Sequence, residues 1–324
     1  MSKENEILPI DKEPTVINRL TCASLEGVSS KVIEVEATFT KGLPGFAVVG
    51  LASSDIQEAK ERVKSALLTN NFTFPPLKIT INLSPSDLKK SGTHFDLSIA
   101  LLIALNKQTI QKDGLFVFGE LGLDGKIKSS SMLFPTILSL KEQGIIKEAI
   151  VPKEAIEYLR FITDIKFIPV DTLSEAIDVV SKENYTYISE TFEYNSKSFD
   201  IDSQKYYYDE KYEGDFFDIK GQHIAKRASL ISAAGMHNFL MEGSPGCGKS
   251  MIAKRLKSVL PPLNQNEILS IAKHQFLDGQ TPLFDAIRPI RSPHHTATSA
   301  SIFGGGCHFQ QTLLHFIKLC YNVT

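Results

Sequence analysis

An α/β protein of two domains, the second built on a phosphate-binding loop, is the fold class this sequence predicts, and three observations predict it. A chain of 324 residues holds about two domains at roughly 150 residues each. Strand-period and helix-period segments alternate from residue 15 to residue 182, the pattern of a mixed α/β core. Residues 243–250 read Gly-Ser-Pro-Gly-Cys-Gly-Lys-Ser, with an apolar run before them and an amphipathic stretch after them.

Each element has a local reason. Lys31–Thr40 alternates apolar and polar residues, as a half-buried strand does. Gly45–Leu51 reads as a buried strand bounded by glycines. Ser54 and Asp55 can cap a helix to about Asn70, in which Ile56, Ala59, Val63, Ala66 and Leu67 recur at helical spacing. Leu77–Leu83 is a strand, with Pro75-Pro76 stopping any helix before it. Phe95–Leu105 reads as a buried helix. Leu115–Gly119 and the stretch around Ile127 flank Asp124-Gly125, a hairpin dipeptide. Helix Met132–Gln143 leads to strand Ala149–Val151, helix Lys153–Phe161 to strand Phe167–Val170, and helix Leu173–Ser181 closes the domain.

Residues 183–214 differ. They hold seven of the nine tyrosines among Ser, Asp, Glu and Lys, with no sustained period. They read as a linker with one or two short strands, a solvated tether docked by a few aromatics rather than a dedicated partner-binding segment. Residues 215–306 form the second domain. Gly221–Ala234 is an Ala-rich helix with Gly235 as a C-terminal cap, and His237–Met241 reads as a short strand running into the loop.

Composition narrows the function. Lys plus Arg is 35 and Asp plus Glu is 37, a net charge of −2, so no global basic excess announces nucleic acid. Cys22, Cys247, Cys307 and Cys320 are far apart without a CxxC pair, which argues against a disulfide framework or a zinc knuckle. The N-terminus is polar and lacks the apolar core of a signal peptide. The longest apolar run, Leu97–Leu105, has nine residues and is broken by Ser98, whereas a bilayer span needs about 20. A soluble, cytoplasmic protein with no membrane partner is expected.

The 243–250 segment matches GxxxxGK[ST]. The glycines let the backbone wrap a phosphate, with N–H groups pointing inward and the helix that follows adding its positive end. Gly243, Ser244, Pro245, Gly246, Cys247, Gly248, Lys249 and Ser250 are therefore expected to hold ATP. Lys249 would reach the β/γ-phosphates as the catalytic cation, and the Ser250 hydroxyl would ligate Mg²⁺. Cys247 reads as a small tolerated side chain rather than a redox sensor. Hydrolysis also needs an acid at the end of a second strand. After residue 250 the acids are Glu267, Asp278 and Asp285, and none follows an apolar strand.

These residues carry a resemblance. The chain resembles the magnesium-chelatase-like AAA+ ATPases of the ComM/YifB type from near Thr21 to Gly306, apart from the Tyr-rich linker. The stretches that carry it are Gly42–Leu51 (GLPGFAVVGL), Glu58–Val63, Ile79–Leu88 (ITINLSPSDL), Gly92–Ala100 (GTHFDLSIA), Gly119–Ile127, Asp218–Arg227 (DIKGQHIAKR), the 243–250 loop, Arg288–Ser299 (RPIRSPHHTATS) and Gly304–Gly306. The resemblance implies a Lon-protease-like, S5-type α/β first domain (15–182) and the N-terminal part of a P-loop AAA+ domain (215–306). A Lon-type Ser–Lys dyad would lie near Gly92–Asp96 and Leu133–Thr136. Here those positions carry Thr93-His94-Phe95 and Phe134-Pro135, so protease activity is not expected; His94 reads as a structural hydrogen-bonding residue, and Ser98 and Ser129–Ser131 as ordinary helix and turn residues.

The resemblance further implies a ring, commonly a hexamer, with ATP between subunits, and action on DNA as a branch-migrating helicase in natural transformation. Asp218, Gly221 and Gln222 would shape the adenine pocket. Pro293-His294-His295 belongs to the chelatase-like subgroup; adjacent strand side chains point to opposite faces, so a structural or DNA-facing loop is expected there rather than a metal site. In full-length members a Walker B strand, sensors, an arginine finger and a helical domain follow the triple glycine. Here residues 307–324 contain no acid; no resemblance to the family is expected past Gly306, and a reading-frame shift there is expected, the alternative being a real short variant. Two functions remain: an ATP-dependent DNA motor, and a non-hydrolysing nucleotide-binding or regulatory module. Magnesium insertion into porphyrin ranks below both.

Overall fold

The computed structural model describes residues 18–182 except 109, and 196–291 except 211 and 213, together with the single positions 187, 194, 296, 321 and 322. The chain divides into two compact units, Met1–Glu190 and Thr191–Thr324.

The first unit is a mixed α/β fold around a seven-stranded sheet. Its strands are β1 (Asn18–Glu26), β2 (Ser29–Thr40), β3 (Gly45–Val49), β4 (Lys78–Ser84), β5 (Gln111–Val117), β8 (Glu148–Pro152) and β9 (Lys166–Val170), in the order β3-β4-β2-β1-β5-β8-β9. The central pairs β1–β2 and β2–β4 are antiparallel, while β3–β4, β1–β5, β5–β8 and β8–β9 are parallel. The sheet is thus parallel-rich, as strands joined through helices require. Helices α1 (Ser54–Thr69), α2 (Asp96–Ala104), α3 (Leu133–Glu142) and the single turn α4 (Ile156–Leu159) lie between strands of the sheet, and α5 (Leu173–Lys182) follows the last of them.

Burial follows the periodicities. In α1 the buried residues are Ile56, Ala59, Val63, Ala66 and Leu67, the face expected from spacing. All residues of α2 from Asp96 to Ile103 are buried, and the Ser98 hydroxyl is satisfied by donating to Val117 O at 3.0 Å. With Phe95, Phe116, Phe118 and Phe134 buried, each such side chain adds about 1.5–3 kcal/mol. Beneath α3 a polar tie is complete: Ser30 N–H donates to Ser139 Oγ (2.8 Å), Ser30 Oγ donates to Thr136 O (2.9 Å), and the Gln143 amide donates to Ser30 O (3.0 Å). Gly50, at φ 99, lets the chain leave β3 against β4; a Cβ there would lie 2.2 Å from Leu83 O.

The two edges of the sheet are finished differently. On β3, Gly45 N–H donates inward to Leu77 O (3.3 Å), so alternation turns the main-chain groups of Phe46 and Val48 outward; the Gln57 side chain from α1 then donates to Val48 O at 3.2 Å. On β9, Lys166 N–H donates inward to Lys147 O (2.9 Å), which leaves Phe167 and Pro169 facing out.

Several sequence expectations are corrected. The sequence predicts no strand over Asn18–Glu26, yet the segment is β1, with Leu20, Cys22 and Ser24 buried along it. Leu115–Gly119 is not a hairpin arm: its continuous apolar run sits between β1 and β8. The Asp124-Gly125 turn instead joins the short pair β6 (Glu120–Leu121) and β7 (Ile127–Lys128), with Gly125 at φ 83. The cap of α1 is Ser53, not Ser54 or Asp55. The helix expected over Lys153–Phe161 is a 3₁₀ turn followed by α4.

In the second unit, β10 (Lys197–Ile201) and β11 (Gln204–Tyr208) form an antiparallel hairpin, and β11 pairs with β12 (Leu263–Asn264). Tyr194 packs on Tyr207 with ring centroids 4.6 Å apart. The helices of this unit are α6 (His223–Gly235), α7 (Lys249–Arg255) and α8 (Gln265–Leu277). A small core joins Phe216, Ile219, Ala233, Ile252, Leu256 and Leu260. Gly235 closes α6 inside the helix, and the left-handed cap is Met236 (φ 52). Residues 237–241 are not a strand. A strand needs a neighbour to share its ladder, which periodicity cannot supply, and Leu240 stays 85% exposed.

Candidate nucleotide site

The loop between residues 243 and 250 leads directly into α7. Gly246 and Gly248 have φ values of 81° and 96°, with Cys247 between them at negative φ. Alternation of this kind turns successive N–H groups toward one concave side, the geometry that receives anions. A Cβ at Gly246 or Gly248 would meet nothing within 4 Å, so glycine is required there by φ and not by crowding. The following turn is anchored inward: Ile252 and Leu256 are buried in the small core, with Val259 packed against it. That is the amphipathic face expected from sequence, although α7 ends at Arg255 and continues as a 3₁₀ turn.

Lys249 donates from Nζ to Gly243 O (2.7 Å) and Ser244 O (3.0 Å), and lies 3.7 Å from Cys247 Sγ. The ammonium is therefore folded into the loop of which it is part. Cys247 N–H donates to Ser244 O at 3.3 Å, closing a turn over Pro245. Ser250 is exposed at the second position of α7. A concave row of amides, one ammonium and one hydroxyl is a donor set that fits a magnesium polyphosphate.

Gln222 is brought to the same place. It precedes α6 in a left-handed conformation, φ 53° and ψ 36°, which costs a residue with a Cβ about 1 kcal/mol. Its Nε2 donates to Cys247 O at 3.4 Å. Asp218 sits apart from this contact. With Asp215 it forms a capping box, and it pairs with Arg255 at 3.4 Å. The Asp215 N–H that it accepts holds its carboxyl below the ordinary value. Lys226 donates to Ile219 O, pinning the segment ahead of α6.

Of the three acids after the loop, Glu267 is committed to structure. Glu267 completes a capping box with Asn264 at the start of α8 and accepts from Arg288 Nη2 at 2.8 Å. Arg288 is buried and also donates to Pro261 O (2.8 Å) and Pro262 O (3.3 Å). Asp278 follows the end of α8. Burial raises the carboxyl of Asp285 above its ordinary value. Residues 292–295, with the two histidines, and 304–306, the triple glycine, lie outside the described residues. Among the described residues no group of three or more His, Cys, Asp or Glu could hold a metal ion.

In the first unit, His94 is buried and its Nε2 lies 2.8 Å from Ala23 O. A carbonyl only accepts, so Nε2 carries the proton, and burial lowers the ring's pKa. Phe134 and Pro135 are buried in α3. Sequence reasoning missed the polar centre of this region. Arg62 Nε and Nη2 donate to the two oxygens of Asp96 at 2.7 and 3.1 Å, and Leu121 N–H adds a third bond at 3.3 Å. Thr93 Oγ1 donates to Glu120. Desolvation pushes Asp96 up to about 6 even so. Lys90, equally buried, donates to Pro85 O.

Comparison with known proteins gives one consistent result. The profile of "Subunit ChlI of Mg-chelatase" matches residues 35–155, and that of "Magnesium chelatase, subunit ChlI" matches residues 215–313. The chain is 33% identical over 285 residues to competence protein ComM of Haemophilus influenzae, covering 86% of this chain and 54% of that protein. It is 32% identical over 289 residues to the uncharacterized protein YifB of Escherichia coli (86% and 53%), and 33% identical over 290 residues to YifB of Salmonella typhimurium (86% and 53%). The chain spans about half the length of these relatives. No helix among the described residues is long and apolar enough to cross a membrane.

Proposed function

The chain belongs to the magnesium-chelatase-like ComM/YifB family, and from that premise we propose that its second unit binds ATP with Mg²⁺ through residues 243–250. The observation that carries this reading is the loop itself: two left-handed glycines around Cys247, with the Lys249 ammonium at the loop's centre. In the bound state Lys249 exchanges the Gly243 and Ser244 carbonyls for phosphate oxygens. The Ser250 hydroxyl would hold the metal ion, whose charge would offset that of the phosphates. The first domain (15–182) is a Lon-like fold without a protease dyad, residues 183–214 a linker, and 215–306 the first part of an AAA+ domain. For the whole protein the relation to ComM supports a homo-oligomeric ring, commonly six subunits, that works on DNA in competence.

Lys249→Ala tests the site. Loss of a charge-assisted contact to phosphate should weaken ATP binding about a hundredfold, given roughly 1.5–3 kcal/mol for such a bond. Isothermal titration of the full chain with Mg-ATP reads this directly, and unchanged affinity would remove the assignment.

A second reading has its own support. Glu267 is tied to the cap of α8 and to Arg288, so it is not available as the acid that positions water. A nucleotide-binding or regulatory module without turnover fits that commitment. Saturable Mg-ATP binding with no phosphate release, with or without DNA, would favour it over the motor.

A further inference from the structure

We propose that Gln222 is a positioning residue of the phosphate loop, fixing the direction of the Gly248 N–H through the carbonyl of Cys247. The inference rests on the nucleotide reading above and deepens it, because it assigns Gln222 to the phosphates where the family resemblance pointed to the adenine.

Cys247 C=O and Gly248 N–H belong to one peptide unit. That unit is planar and trans, so the two groups point in opposite directions. A donor that holds the carbonyl on one side therefore aims the N–H at the other. The Gln222 amide is that donor, reaching across 25 residues of sequence to Cys247 O at 3.4 Å. Only its NH₂ group can face a carbonyl, which settles the orientation of the amide.

The peptide needs holding. Gly248 is at φ 96° and has no side chain, so no Cβ of its own fixes the direction of the 247–248 peptide. Turned over, it would present an oxygen to an anion in place of a hydrogen. Two further loop carbonyls have donors of their own: Ser244 O takes Cys247 N–H and Lys249, and Gly243 O takes Lys249. Cys247 O has Gln222.

The backbone of Gln222 points the same way. Glutamine has no special tolerance for a left-handed conformation, unlike glycine or asparagine. The side chain is exposed, so core packing does not account for it there. Consecutive positive φ values at Gly221 (68°) and Gln222 (53°) bring its amide onto the loop. An outlier kept at an exposed position is what a positioning role requires.

The test uses the full chain and two variants. Gln222→Gly keeps the left-handed φ without strain and removes the donor. Gln222→Glu keeps the shape and sets an acceptor against the carbonyl. Displacement of a fluorescent ATP analogue is measured with ATP and with inorganic triphosphate, both with Mg²⁺. Both variants should weaken ATP and inorganic triphosphate alike, by about tenfold, with thermal melting unchanged. Wild-type affinity for triphosphate in Gln222→Gly overturns the proposal, as does a loss confined to ATP, which would return Gln222 to the base. Either result, with binding still lost in Lys249→Ala, leaves the nucleotide reading standing. A wild-type chain that binds neither ligand sinks both.

Discussion

Replacing Arg62 by methionine keeps the aliphatic stem and removes the guanidinium, and its cost should depend on pH in a defined way. In the native unit the Asp96 carboxylate takes two bonds from Arg62 and one from Leu121 N–H. Its side chain has no solvent exposure. Desolvation pushes its pKa up to about 6 with Arg62 in place, so losing Arg62 raises it further. At pH 5 the carboxyl is largely protonated in both proteins, and the variant forfeits a bond from the Arg62 cation to a neutral acid, about 1.5 kcal/mol. At pH 8 the native pair is ionised, and the variant must keep a lone buried charge or take up a proton. Each unit by which the pKa has risen then adds about 1.36 kcal/mol, so a loss of about 3–4 kcal/mol is expected, within the range for halving a buried pair. Urea unfolding of the full chain followed by circular dichroism at the two pH values measures the difference. Equal losses at pH 5 and pH 8 would refute the reasoning, because they would mean that the carboxyl does not change its protonation.

Three further outcomes are expected. The folded pKa of Asp96 lies above its unfolded value of 3.8, so the folded state holds the extra proton and this group's contribution falls as pH rises from about 4 to about 6, by on the order of 3 kcal/mol; in Asp96→Asn that slope should disappear from unfolding free energies measured across the window. Gly50→Ala would set a Cβ 2.2 Å from Leu83 O at φ 99°, and should cost about 3 kcal/mol or more in chemical denaturation. Glu267→Gln weakens the cap of α8 and the pairing of buried Arg288, and should lose about 2 kcal/mol of stability while titration calorimetry finds Mg-ATP affinity unchanged.

What could be read from the sequence follows from the range of each interaction. The buried face of α1 was legible because its spacing is local, and the loop at 243–250 because its chemistry lies within eight consecutive residues. β1 escaped because its partners are β2 and the distant β5, and a sheet centre carries no signal of its own position. The strand read into 237–241 failed for the converse reason: an apolar run was present without a neighbour. Arg62 and Asp96 lie 34 residues apart, and no spacing rule links them. Gln222 was visible as a residue, but the amide's reach to Cys247 depends on a left-handed φ that glutamine does not advertise.

The way the seven-stranded sheet ends has a consequence for how this chain behaves in company. A strand edge with open amides and carbonyls is a template onto which another chain can add. On β3 the outward Val48 carbonyl is already occupied by Gln57. On β9 the outward donors would be Phe167 and residue 169, and the latter is proline, with no N–H to offer. An incoming strand would find its hydrogen-bond row interrupted at either side. The unit can therefore sit at high local concentration beside copies of itself without its sheet being lengthened by a neighbour. Among the described residues, these interrupted edges disfavour backbone addition and leave side-chain surfaces, where partner and geometry can be selected, as the better route for association.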